Sequence, residues 1–151
     1  MRRRKGFTFI EILMVMIIIG LLSSLAILKY IDLKRQAYAV TIASEIHAVR
    51  VGAFNYWADF QDWPPDVGPG VAPPPLVPYL PGFTFAGPNY TLDWDNLTGG
   101  GGGGAFLVGI TMTTADLKLL NSVKKNLGTT NPWFLNGNSL TYIIVGPSGV
   151  F

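Results

Sequence analysis

Residues 7–28 read FTFIEILMVMIIIGLLSSLAIL, an apolar run interrupted by a single charge, Glu11. As a helix this run is about 33 Å long at ~1.5 Å per residue, and a hydrocarbon core is roughly 30 Å thick. It therefore reads as one membrane span, which restricts what the rest of the chain can be. Arg2, Arg3, Arg4 and Lys5 stand just before it, followed by Gly6. By the positive-inside rule the basic cluster stays cytoplasmic, and everything after Lys29 lies on the outer side in a single pass. A carboxylate in such a helix is costly unless paired, so Glu11 should have a partner, expected in another subunit.

An ordinary secretory signal has a shorter apolar region closed by an A-x-A-like cut site. Here the run ends Ala26, Ile27, Leu28, Lys29, without that pattern. A plain signal anchor accounts for the length and the basic flank but leaves the placing of Gly6 and Glu11 without a reason. Composition narrows the field further. The chain has 151 residues, enough for one small domain behind one helix. Four of its eleven basic residues precede Gly6, and losing them leaves seven against nine acids, moving the balance from +2 to −2. No basic footprint for nucleic acid survives that loss. Cysteine is absent, which excludes disulfides, a thiol nucleophile and cysteine-ligated zinc.

The segment Lys5-Gly6-Phe7-Thr8-Phe9-Ile10-Glu11, followed by the apolar run, resembles the leader of type IV pilins and of the pseudopilins of type II secretion. The resemblance implies cleavage by a prepilin peptidase between Gly6 and Phe7, N-methylation of Phe7, and an assembly role for Glu11. The physics is consistent with this, because the cut creates an amine at Phe7 that a neighbouring subunit's Glu11 can meet inside an apolar bundle. It further implies a homo-oligomer or a mixed filament with other pilins, built on an inner-membrane assembly platform. The subunit would sit in the bacterial inner membrane, N-terminus cytoplasmic, with its C-terminal domain periplasmic or extracellular in a filament. Major pilins often place a proline near the end of the apolar run and close a C-terminal loop with a disulfide. Leu28 stands at the first position and the second is impossible here, which points toward a pseudopilin or minor pilin.

Past Lys29 an amphipathic stripe appears, with Ala39, Ile42, Ile46, Val49, Ala53, Tyr56 and Phe60 at alternating spacings of 3 and 4. Asp32, Lys34, Arg35, Glu45, His47 and Arg50 fall on the opposite, solvated or subunit-facing side. One helix is expected from residue 8 to about 60, with Gly52 its weak point. His47 has no second ligand at Val51 and reads as an exposed helix histidine. Residues 61–81 then carry eight of the eleven prolines and predict a semi-rigid loop packed down by Trp63, Leu76, Val77, Tyr79 and Leu80. Strand signals follow at 82–85, 89–94, 105–112 and 139–145, and a short helix at 114–127 has Thr113 or Thr114 as cap. Its expected buried residues are Leu117, Leu120 and Leu127.

The expected fold is thus α+β, a long N-terminal helix packed on a small antiparallel sheet. Its layout is a leader at 1–6, a transmembrane and assembly helix at 7–28, an amphipathic half at 29–60, and a loop plus globular domain at 61–151. Asp93, Asp95 and Asn96 form a D-x-D-N cluster at a strand end. They read as polar residues making turn hydrogen bonds, with oxygen ligation of calcium as the alternative, although the spacing is not that of an EF-hand loop. The six glycines 99–104 lack the Lys-Ser/Thr ending of a phosphate loop and read as a linker. No catalytic set is recognisable, so a structural, nonenzymatic subunit without a cofactor is expected. The rival reading is a monomeric, membrane-anchored extracytoplasmic binding or accessory module.

Overall fold

The computed structural model describes residues 6–98, 107–129 and 132–146; the basic cluster Arg2 to Lys5 and the 99–104 glycine run lie outside these. One helix, α1, runs Phe9–Phe60 with no proline inside it. Contacts divide the chain into two units, Met1–Arg35 and Gln36–Phe151. In the first, every large apolar side chain from Phe7 to Leu33 is exposed. Within it Ser24 Oγ donates to the Leu21 carbonyl at 2.8 Å, and Arg35 pairs with Asp32 at 3.1 Å. By length and composition α1 contains an apolar stretch able to cross a membrane.

In the second unit the expected stripe is the buried face of α1. Ala39, Ile42, Ile46, Val49 and Ala53 are fully buried, with Ala43 and Gly52 beside them. Tyr56 is half-buried and Phe60 is exposed, its ring lying 4.7 Å from that of Tyr56 rather than in the core. Gly52 is a packing position more than a weak point. A Cβ there would sit 3.1 Å from Leu80 Cδ2, so its absence lets the proline-rich loop close on the helix. That loop contains a short 3-10 helix, Pro74–Tyr79, which buries Leu76 and leaves Val77 half exposed, contrary to the expectation that Val77 packs down.

Four strands form one antiparallel sheet: β1 Thr91–Asn96, β2 Val108–Thr113, β3 Trp133–Asn136 and β4 Ser139–Val145, in the order β1-β2-β4-β3. Register aligns Leu92, Met112 and Leu140 in one row and Trp94, Ile110 and Tyr142 in the next. All six are buried in the same core as α1, as the period-2 alternation of a half-buried sheet requires. The other face is polar: Thr111 and Thr141 share a hydrogen bond at 2.8 Å, as do Thr113 and Ser139.

Three sequence expectations are corrected here. Residues 82–85 form no strand; only Ala86 bridges to Thr91. Trp133–Asn136 is a strand that pattern reading missed, because four residues beside Pro132 are too short to show alternation and are held by the Gly137-Asn138 hairpin into β4. The second helix, α2, is Leu117–Leu127 and its cap is Asp116, whose Oδ1 accepts from the Lys118 and Leu119 amides at 2.9 and 3.1 Å. Thr114 instead donates to the Asn89 carbonyl at 2.7 Å. With this start the buried face is Leu119, Leu120, Val123 and Leu127, and Leu117 is exposed.

Candidate processing and assembly site

Gly6, Phe7 and Thr8 precede α1 without regular structure, and Phe7 is 85% exposed. Thr8 is the N-cap of the helix. Its backbone N–H and its hydroxyl both donate to Glu11 Oε2, at 2.7 and 2.8 Å, and the Glu11 amide reaches Thr8 Oγ1 at 3.4 Å. This is a capping box, in which a Thr at the cap and a Glu three residues on satisfy each other's amides. The box gives Glu11 an intrachain task that charge and burial reasoning overlooked. Its signal was present in the sequence as Thr8-Phe9-Ile10-Glu11. Both contacts fall on one oxygen, so the carboxylate is oriented by its own chain while its charge is opposed by no cation among the described residues. Gly6 and Phe7 thus lie just before an exposed helix start and Glu11 in its first turn.

The second set of candidate residues is divided by the β1 pleat. Asp93 and Asp95 point to the polar face of the sheet, where Asp95 accepts from the Thr111 hydroxyl. Burial, then the charges of Asp95 and Asp66, push the Asp93 carboxyl up to about 6, against a lowering contribution from the Trp94 amide. Burial raises Asp95 too, with Thr111 opposing it and Asp66 adding to it. Oδ1 of Asp93 is buried without a hydrogen-bond partner. Asn96 serves a different purpose: its Nδ2 donates to the Pro64 carbonyl at 2.8 Å, and its Oδ1 accepts from the Thr98 amide and hydroxyl at 3.1 and 2.6 Å. The indole of Trp94 donates to the same Pro64 carbonyl at 2.8 Å. Among the described residues, no three carboxylate, imidazole or thiolate groups converge as a metal site would need.

Charged residues of α1 expected on the solvated side border the sheet instead. Glu45 accepts from the Tyr90 hydroxyl, and Arg50 donates to the Tyr142 hydroxyl at 3.1 Å. Burial first, and then the bond to Glu45, raise the Tyr90 phenol. Burial likewise raises Tyr142, with Arg50 opposing the shift. His47 is half-buried, edge-on to Tyr142 with ring centroids 5.8 Å apart, rather than exposed. Near the end of α1, Asp59 accepts from Tyr79 at 2.5 Å. Tyrosine hydroxyls thus let an amphipathic helix keep charges at the rim of an apolar core.

Residues 1–27 match the family described as the prokaryotic N-terminal methylation motif. The chain carries that motif at its start. Gly6, Phe7, Thr8 and Glu11 all fall inside it, whereas Asp93, Asp95 and Asn96 lie outside. Over 48 residues the chain is 42% identical to the type IV narrow pilus major component PilA5 of Thermus thermophilus. That match spans 32% of this chain and 41% of the relative, so it covers less than half of either. No solved structure matches the chain. The methylation motif and the apolar half of α1 together indicate anchoring in a membrane.

Proposed function

We propose that this chain is a pilin-like structural subunit, cut between Gly6 and Phe7, methylated on Phe7, and assembled through residues 7–28 into a type IV pilus or a type II secretion pseudopilus. The observation that carries this is a methylation motif placed directly on a helix whose large apolar side chains, Phe7 to Leu33, are all exposed. A membrane can cover them before assembly, and other copies of the same helix can cover them afterwards. Glu11 adds the polar term. Thr8 holds its carboxylate at the helix start; in this reading Glu11 pairs with the Phe7 amine of a neighbouring subunit, since a buried charge without a partner is disfavoured. Subunits would thereby check register as they are added.

In this reading the leader stays cytoplasmic, the Gln36–Phe151 unit lies outside the inner membrane, and the partners are other pilins, a prepilin peptidase and an inner-membrane assembly platform. No cofactor or catalysis by this chain is needed, since work on the filament would come from other proteins. The named likeness to a pilus component favours the pilus over the pseudopilus. The test is mass spectrometry of the mature N-terminus from a host carrying a prepilin peptidase. The expected product begins at Phe7 with one added methyl; an intact Met1, or a cut elsewhere, overturns the reading in favour of a simple anchored module.

A further inference from the structure

Where α1 gives way to the proline-rich loop there is an open cleft of about 610 Å³, a volume within the ~300–1,000 Å³ range of small-molecule sites. Its walls combine two aromatic side chains, Tyr56 and Trp63, with the carboxylates of Asp62 and Asp66. Asn96, the last residue of β1, and Thr98 close one end. Filament assembly through residues 7–28 makes no use of it.

The cleft is built from groups that are already fixed. Trp63 stacks on Trp57 with ring centroids 6.0 Å apart and meets Phe54 edge-on at 5.6 Å. Tyr56 is held by Phe60 at 4.7 Å and, edge-on, by Tyr79 at 6.0 Å. Asn96 uses Nδ2 on the Pro64 and Trp63 carbonyls and Oδ1 on Thr98, so it shapes the wall and has little left for a ligand. Asp62 and Asp66 each accept one loop amide on Oδ1, from Trp63 at 2.8 Å and from Gly68 at 3.0 Å. Both carboxylates are exposed and oriented, and the second oxygen of each has no hydrogen bond to a described residue. Among the described residues neither the Tyr56 hydroxyl nor the Trp63 indole N–H has a hydrogen-bond partner, and neither is enclosed, so both are donors open to a ligand.

These groups select a chemical class. Carboxylate oxygens only accept and an indole N–H only donates, so a ligand that answers both must donate and accept. A phosphate, sulfate or carboxylate only accepts, and it would face two like charges with no basic side chain among the described residues lining the cleft. An ammonium group only donates and leaves the indole N–H unanswered. A hydroxyl does both. The electron-rich faces of Tyr and Trp rings attract slightly positive C–H groups, which a pyranose ring presents on its own face.

We infer that this cleft binds a neutral saccharide, with a sugar ring against the Tyr56 and Trp63 side chains and its hydroxyls shared between the Asp62 and Asp66 carboxylates and the two aromatic donors. Because rings and carboxylates are held in place before binding, little ordering opposes it. The site belongs to the Gln36–Phe151 unit alone and does not rest on the filament reading.

The experiment titrates the full-length chain, in a detergent without a sugar headgroup, with maltose, lactose, mannobiose and diacetylchitobiose, and follows tryptophan fluorescence. The expected result is a saturable change with at least one of these sugars at roughly millimolar concentration. Tyr56→Phe removes a single oxygen, and Asp66→Asn keeps an acceptor for the Gly68 amide; each should weaken that binding about 3- to 10-fold. Trp63→Phe should remove most of the fluorescence response, whereas Lys124→Ala, outside the cleft, should leave it unchanged. Near-UV circular dichroism matching that of the unsubstituted chain shows that each variant is folded. No saturable response to any of the sugars overturns the inference, as does equal binding by the unsubstituted chain, Tyr56→Phe and Asp66→Asn. Tighter binding of digalacturonate or of tetramethylammonium than of every neutral sugar overturns it in favour of an anion or an organic cation.

Discussion

Asn96→Asp separates two roles for the D-x-D-N segment with a change of one atom. Asparagine here donates from Nδ2 to the Pro64 carbonyl at 2.8 Å and more weakly to the Trp63 carbonyl at 3.4 Å. Aspartate keeps the oxygen that receives the Thr98 amide and hydroxyl, so those bonds persist. What is lost is the pair of donors, and what is gained is a carboxylate facing two carbonyl oxygens, next to Asp95. The Pro64 carbonyl retains the Trp94 indole, so it is not left bare, and the cost stays near that of an ordinary net hydrogen bond with a repulsive addition. That gives about 1–2 kcal/mol, or roughly 4–10 °C in melting temperature for a unit of this size. Near-UV circular dichroism of the detergent-solubilised full chain, heated with and without calcium, follows the globular unit through its buried aromatic residues. Were Asn96 instead a calcium ligand, the aspartate would bind the ion more tightly. A melting temperature that is unchanged, or one that rises in calcium, would refute the loop-clamp argument.

Two further outcomes are expected. Asp93 carries a native pKa near 6 against an ordinary 3.8; the native state therefore holds more protons than the unfolded state in that window, and its contribution is present below 3.8 and lost as pH rises through about 6. Asp93→Asn should raise the melting temperature at pH 7–8 and flatten its fall between pH 4 and 6, and a lower melting temperature at pH 7 would contradict the assignment. At the helix start, Glu11→Gln keeps an acceptor for the capping box but removes the charge, while Thr8→Val keeps the charge and loses the hydroxyl. Both should insert normally; filaments should be absent from Glu11→Gln and present with Thr8→Val, as seen by electron microscopy, and filaments from Glu11→Gln would dismiss the charge-pairing role.

How much of this was legible in the sequence depends on the range of the interaction responsible. The α1 stripe from Ala39 to Ala53 was visible because a helix buries a face set by its own period, and the β4 span at 139–145 because β-branched and aromatic residues cluster there. Leu117 was misassigned because, at 3.6 residues per turn, it lies well off the stripe of Leu119, Leu120, Val123 and Leu127 that the sheet buries. Strand β3 escaped notice because its pairing to β4, not its four residues, makes it a strand. Glu45, His47 and Arg50 were read as solvated because charge alone predicts water; tyrosines distant in sequence reach them.

By itself the sequence determined the membrane-length apolar run, the motif around Gly6, Phe7 and Glu11, the capping box that Thr8 and Glu11 form, and the α+β class, since each depends on residues close together along the chain. The tertiary structure alone decided that Asn96 and Trp94 converge on one carbonyl of the proline loop and that Gly52 makes room for Leu80. Those outcomes depend on which strands become neighbours. The β1-β2-β4-β3 order follows from burial of β1, β2 and β4 side chains in one core with α1 and from the pairing of β3 with β4, and local pattern does not encode it.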